Sequence, residues 1–133
     1  MADNLVAKVQ DLYGAFGRGD VPGLLAHFAT DAVWDVTGPP GAFPTFGLRK
    51  GLAEIGEFFG VLAANENFSE FAPLSFHQSD DKVFVIGHLT SSITKTGRSY
   101  ASDWVHIFTF KGGKVSAFKE FFDSAAIVAA YRT

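Results

Sequence analysis

His106 and Glu120 are the residues best suited to proton chemistry, because each interrupts a stretch otherwise built of strand formers, GRSYASDWVHIFTFKGGKVSAFKEFFD (97–123). The stretch reads as two β-strands folded back on a tight Lys111-Gly112-Gly113 turn, with a helix about to begin. A carboxylate set among aromatic rings is stripped of water, a setting that suits general acid/base catalysis. A histidine between Trp104 and Phe108 could donate to a ligand carbonyl or orient Glu120. Whether the two meet depends on one residue of loop. A two-residue Gly112-Gly113 loop places His106 opposite Lys119 and turns Glu120 away. A three-residue loop with Gly113 left-handed pairs residues 110 and 114. Trp104, His106, Phe108 and Phe110 then share a face with Ser116, Phe118 and Glu120.

Other residues compete for the same chemistry. Asp35 alternates with Trp34 in AVWDVT, so one faces inward and the other does not: Asp35 would be a second candidate base, Trp34 a wall. His88 interrupts VFVIGHLT beside Gly87, where a bulge is expected. Tyr13, Phe16, Trp34, Phe46, Phe58, Phe59, His88, Trp104, Phe108 and Phe118 are the candidate ligand-binding residues, although aromatics at helical spacing also make plain core. Phe43 and Phe46, in a Pro-rich loop, could close over a mouth as a lid. The plainer reading of Glu120 is a rim carboxylate paired with Lys119 or Arg49. Asp103 is expected on the outer face, and His27 and His77 in solvent. The histidines are scattered without a metal-ligand pair, so no metal is expected. Neither a Gly-rich phosphate loop nor a G-x-S-x-G elbow occurs.

The elements that must position these groups follow from periodicity. Leu5, Val9, Leu12, Tyr13 and Phe16 mark one face of a helix with Asp3 as its N-cap. Asp20 caps a shorter helix with Pro22 in its first turn, carrying Leu24, Leu25 and Phe28. Ala32–Thr37 is a strand, GPPGAFPTFG an irregular loop, and Gly51–Asn65 a third helix. From Phe68 to Phe122 strands alternate with turns at Ser79-Asp80-Asp81, Thr96-Gly97 and Lys111-Gly112-Gly113, and a short final helix begins near Ser124. The order is α+β within one domain, 1–133. Val83–Ile86 and Trp104–Phe110 are apolar on both faces, so helices should cover one side of the sheet and a second subunit the other.

Composition narrows the classes. Apolar residues make up 47% and charged ones 19%, as in ordinary globular proteins, but phenylalanine occurs 15 times, enough for an aromatic core or an aromatic cavity. A net charge of −3 offers no field for a phosphate backbone, so no nucleic-acid partner is expected. The chain has no cysteine, hence no disulfide or thiolate. No apolar run approaches the roughly 20 residues of a membrane span, and Met1-Ala2-Asp3-Asn4 lacks a signal-peptide pattern, so the expected address is the cytoplasm.

FGRGDVPGLLAHFATDAVW (16–34), GLRKG (47–51), the turn-bounded meander and GRSYASDWVHIFTFKGGKVSAFKEFFDSAA (97–126) together resemble the SnoaL-like branch of the NTF2-like superfamily, which includes ketosteroid isomerases, polyketide cyclases and limonene-epoxide hydrolases. The resemblance implies a cone. A curved, mostly antiparallel sheet is wrapped by three N-terminal helices and a short C-terminal one, around an apolar pocket, commonly in a homodimer. It also favours the register that brings His106 and Glu120 together. The epoxide-hydrolase ending W-R-D-Y-F-D resembles Phe118–Asp123 without a gap and places its catalytic carboxylate on Glu120; the strand supplying the rest of that set reads VFVIGHLTSS, with His88 near the matching positions. In the isomerases, the base position falls on Val36 or Asp35, the donor tyrosine on Leu12 beside Tyr13, and the donor aspartate on His106. The function so implied is binding of a small hydrophobic molecule without a cofactor, with Glu120, His106 and Asp35 as acid/base groups for isomerisation, cyclisation or hydration. The alternative is a non-catalytic ligand-binding or dimerisation module.

Overall fold

The computed structural model describes residues 4–132, so the expected Asp3 cap and the N-terminal Met1-Ala2-Asp3 lie outside the described residues. The helix they precede, α1 (Leu5–Gly17), is capped by Asn4, whose side chain accepts from the Ala7 N–H. Its buried residues, Leu5, Val9, Leu12 and Ala15, repeat at the helical period. Asp20 caps α2 (Val21–Leu25) by accepting from the Gly23 N–H. The helix is shorter than expected, and Phe28 opens β1 (Phe28–Val36) instead of closing α2. A strand missed by the sequence reading, β2 (Gly47–Lys50), follows the Pro/Gly loop and pairs antiparallel with the end of β1. Then come α3 (Gly51–Asn65), β3 (Glu66–Ser79), β4 (Lys82–Ile93), β5 (Ser99–Lys111), β6 (Lys114–Phe122) and α4 (Ser124–Tyr131).

The strands form one curved mixed sheet in the order β2-β1-β6-β5-β4-β3. The meander β3–β6 is antiparallel throughout, while β1 lies parallel to β6. Two register shifts in β3, between Phe68 and Glu70 and between Pro73 and Ser75, each put an extra residue on that strand, the usual means of bending one edge of a sheet. Leu74 therefore bulges opposite Gly87, and Gly87 is not itself the bulge. It is glycine for another reason: a Cβ there would meet the Trp104 ring at 2.2 Å. The helices cover the concave face and complete the cone, and none of them is long and apolar enough to cross a membrane among the described residues.

The β5–β6 hairpin follows neither of the two simple registers. Lys111 pairs with Lys114, so the loop is the two-residue Gly112-Gly113, with φ of 60° and 81° as a type I′ turn requires. Unbroken, that register would set His106 against Lys119. A bulge at Ser116 intervenes: Phe110 pairs with Val115 but Thr109 with Ala117, and the Ser116 hydroxyl donates to the Thr109 carbonyl at 3.1 Å. One residue is skipped, and His106 comes to lie opposite Glu120. The expected three-residue loop is thus replaced by a tighter turn plus a bulge. Val115 takes the inward place that Ser116 was expected to hold, since Val115 is buried and Ser116 only partly so.

Candidate functional site

On the concave face three side chains form a hydrogen-bonded chain. The Tyr13 hydroxyl lies 2.7 Å from His106 Nδ1, and His106 Nε2 lies 2.7 Å from Glu120 Oε2. Three elements meet here: α1 brings Tyr13, β5 His106 and β6 Glu120. With Glu120 ionised, Nε2 carries the proton and donates to it. In the neutral ring Nδ1 is then the acceptor, and Tyr13 donates. His106 is only 4% exposed. Trp104 stacks on it at 3.9 Å and Phe118 meets it edge-on at 4.7 Å. Burial, with a further contribution from the Glu120 charge, holds the Tyr13 phenol well above its ordinary range, so it keeps its proton at neutral pH.

The chain ends in a chamber of about 60 Å³ walled by Trp34, Phe59, Phe108 and Phe118. That is space for a small functional group. A second hollow of about 500 Å³ lies outside it, between the α1–α2 junction, the end of α3 and the start of β3. The two have Phe16, Leu24, Phe59, Leu62, Glu66 and Phe68 in common; the smaller, which holds the Tyr13–His106–Glu120 chain, is here the inner compartment and the larger the outer. The outer volume falls within the range usual for ligand sites.

Of the residues singled out in the sequence, Tyr13, Phe16, Trp34, Phe58, Phe59, Phe108 and Phe118 line the inner chamber with His106 and Glu120. The others lie elsewhere. Asp35 points to the opposite face of the sheet, 3.9 Å from Lys119, because Trp34 takes the inward place and stacks on Phe118 at 3.8 Å. His88 also points outward, 2.9 Å from Asp103 and 3.6 Å from Glu70. Trp104 sits beneath His106 and over Gly87, supporting the site without lining it. Phe46 is packed over Gly38 against Phe43 and Phe122, and Thr45 reaches the chamber in its place. No lid forms over the outer mouth from this loop: Phe43 is 2% exposed and packs edge-on against Tyr131 of α4 at 4.9 Å.

Besides Thr45, two polar residues of the chamber escaped the sequence reading. Glu66, 6% exposed, accepts from the Tyr100 hydroxyl at 2.5 Å. Tyr100 shares the strand parity of His106, which was a usable signal. Glu66 was passed over because it falls between the expected third helix and a strand expected to begin at Phe68, although it shares the parity of Phe68. Burial raises the Glu66 carboxyl above the ordinary carboxylate range, opposed by Tyr100 and Ser91 and reinforced by the Glu120 charge. Among the described residues no group of three or more histidine and acidic side chains is arranged to hold a metal ion.

The family model for the SnoaL-like domain matches residues 9–118. Among solved structures, an NTF2-like protein from Burkholderia xenovorans is 31% identical, with a TM-score of 0.87 over 96% of this chain and 95% of that one. An NTF2-like protein from Burkholderia pseudomallei is 27% identical, with a TM-score of 0.88 over 98% and 99%. TerC, co-crystallised with polyporic acid, is 26% identical, with a TM-score of 0.79 over 94% and 95%. No curated protein matches the chain.

Proposed function

The chain belongs to the SnoaL-like domain family, and from that premise we propose that it binds an uncharged, largely hydrophobic small molecule and moves a proton on it with Glu120 as the base. The observation that carries this reading is the Tyr13–His106–Glu120 chain ending in an aromatic chamber. His106 and Tyr13 hold the carboxylate in one orientation, so no reorganisation is needed when it accepts a proton. The apolar body of the ligand occupies the outer compartment and its reactive end enters the inner one. An anion would be repelled by Glu120 and stripped of water among the rings, which favours a neutral ligand. The co-crystallisation of TerC with a small molecule supports a binding role for this fold. Isomerisation and cyclisation would take that proton from the ligand itself, whereas hydration would take it from a water molecule that adds to the ligand.

The sheet's convex face exposes Leu74, Ile86 and Phe121 to 67%, 47% and 43%. This supports a homodimer through the sheet, with the second copy covering that face. Sedimentation of the Ile86→Lys/Phe121→Lys variant checks it: a shift to monomer is expected, and a wild-type chain that already sediments as a monomer refutes it.

The functional reading is tested with a thermal-shift panel of enones, polyketide-like aromatics, terpene epoxides and lactones, followed by turnover assays on the compounds that bind. A ligand at a hundred times its Kd should add about 2.7 kcal/mol, or several degrees. Turnover that disappears in Glu120→Gln supports the base. Turnover retained in that variant contradicts it. Binding without product for every compound leaves a carrier of the same ligand class.

A further inference from the structure

Glu120 needs a fixed backbone as well as a partnered side chain, and its carbonyl is held from the β1 side. That oxygen accepts both the Thr37 N–H at 3.2 Å and the Thr37 hydroxyl at 2.7 Å. A carbonyl turned this way offers nothing to β5. His106 and Glu120 therefore form the antiparallel pair that exchanges no ladder bonds, the kind whose side chains lie closer together. That closeness suits the 2.7 Å contact between the His106 ring and the Glu120 carboxylate. It also leaves the carbonyl of Glu120 to be fixed by its neighbour across from β5.

Thr37 stands one residue beyond β1, whose last pair with β6 is Val36 and Glu120. Most residues there could supply the N–H alone, whereas threonine brings a second donor to the same oxygen. Thr37 is itself braced from behind. The next residue, Gly38, lies so close under the Phe46 ring that a Cβ there would meet it at 2.5 Å. Phe46 packs on Phe43, and Phe43 on Tyr131 of α4. The Pro/Gly loop, which forms no lid, is thus anchored next to the residue bonded to Glu120.

We propose that Thr37 is a positioning residue for Glu120: through the carbonyl it holds, it sets where the Glu120 side chain leaves β6 and so keeps the carboxylate on His106. This rests on the reading of Glu120 as base. Thr37 lines neither hollow, so its effect travels through Glu120 and not through the ligand. The carboxylate is then fixed at both ends, by the His106 ring at its oxygen and by Thr37 at its backbone. A base held in this way needs no reorganisation before it takes a proton.

The test is proton exchange at the imidazoles, read by ¹⁵N–¹H correlation on the ligand-free protein and on Thr37→Val, which keeps the shape of threonine and loses the hydroxyl. In the wild type the His106 Nε2 proton should be protected by Glu120. In Thr37→Val its exchange should quicken by about three- to tenfold, the worth of one net hydrogen bond. Core amides such as that of Val85 in β4 should exchange as before, and Thr37→Ser, which restores the donor, should restore the protection. Thr37→Ala takes the place of Thr37→Val if the latter does not fold. Equal exchange in Thr37→Val and wild type, or no recovery in Thr37→Ser, overturns the positioning role and leaves Glu120 standing as the base. So does a quickening shared in the same ratio by the core amides, which marks a general loss of stability. A wild-type His106 Nε2 proton as unprotected as that of the outward-facing His88 overturns both.

Discussion

The sheet carries a histidine bonded to a carboxylate on each face, and the two pairs differ in almost everything except residue type. His106 and Glu120 meet at 2.7 Å with side chains 6% and 16% exposed. His88 meets Asp103 at 2.9 Å and Glu70 at 3.6 Å, but those side chains are 35%, 89% and 56% exposed. On the convex face water competes for every bond and screens every charge, so the cluster adds little. On the concave face the same bond sits among aromatic rings, where an unsatisfied partner is expensive and a satisfied one is held in place. Strand parity decides which face a histidine joins, and that parity rests on single-residue features such as the Ser116 bulge.

The comparison can be broken most forcefully at Glu120. Glu120→Gln should lower kcat roughly 10²- to 10⁴-fold on any converted substrate while the fold survives, read by steady-state kinetics beside a thermal melt. Next in size, His106→Ala should destabilise the protein by about 2–4 kcal/mol in urea unfolding, because it opens a cavity and strips both Tyr13 and Glu120 of their bonds. Glu66 offers a pH-dependent effect. Its carboxyl pKa is raised in the fold above the ordinary 4.5, so the unfolded chain releases the proton first as pH increases. The stabilisation is therefore complete below about pH 4.5 and is lost as pH rises through the folded value. Urea titrations at pH 4 and pH 8 should show Glu66→Gln losing less stability over that interval than wild type. The smallest effect belongs to the convex face, where His88→Gln should change stability by under about 0.5 kcal/mol and leave turnover unaltered.

Much of this was legible in the sequence for reasons that can be traced. The third helix, Gly51–Asn65, emerged with its observed limits because its apolar period is uninterrupted and glycine marks its start. The resemblance to the SnoaL-like family carried the cone, and His106 and Glu120 stood out because charge and strand-forming aromatics rarely share a face. What stayed hidden depended on long-range pairing or on bulges. The parallel β1–β6 contact joins residues more than eighty positions apart, and β2 is only four residues long. Glu66 sits at the helix-to-strand junction, ahead of the expected strand start at Phe68, so it was assigned to neither element. Asp35 and Trp34 could be separated only by knowing which of them Phe118 would stack upon.

The central claim is that a buried histidine holds Glu120 in place as the base. Long-range ¹⁵N–¹H correlation of the imidazoles at neutral pH tests it most directly. The account predicts that His106 is a neutral ring with its proton on Nε2, protected from exchange by Glu120, and with Nδ1 as the acceptor of the Tyr13 hydroxyl. A His106 ring with its proton on Nδ1, or with N–H signals exchanging as fast as those of the exposed His88, would contradict it.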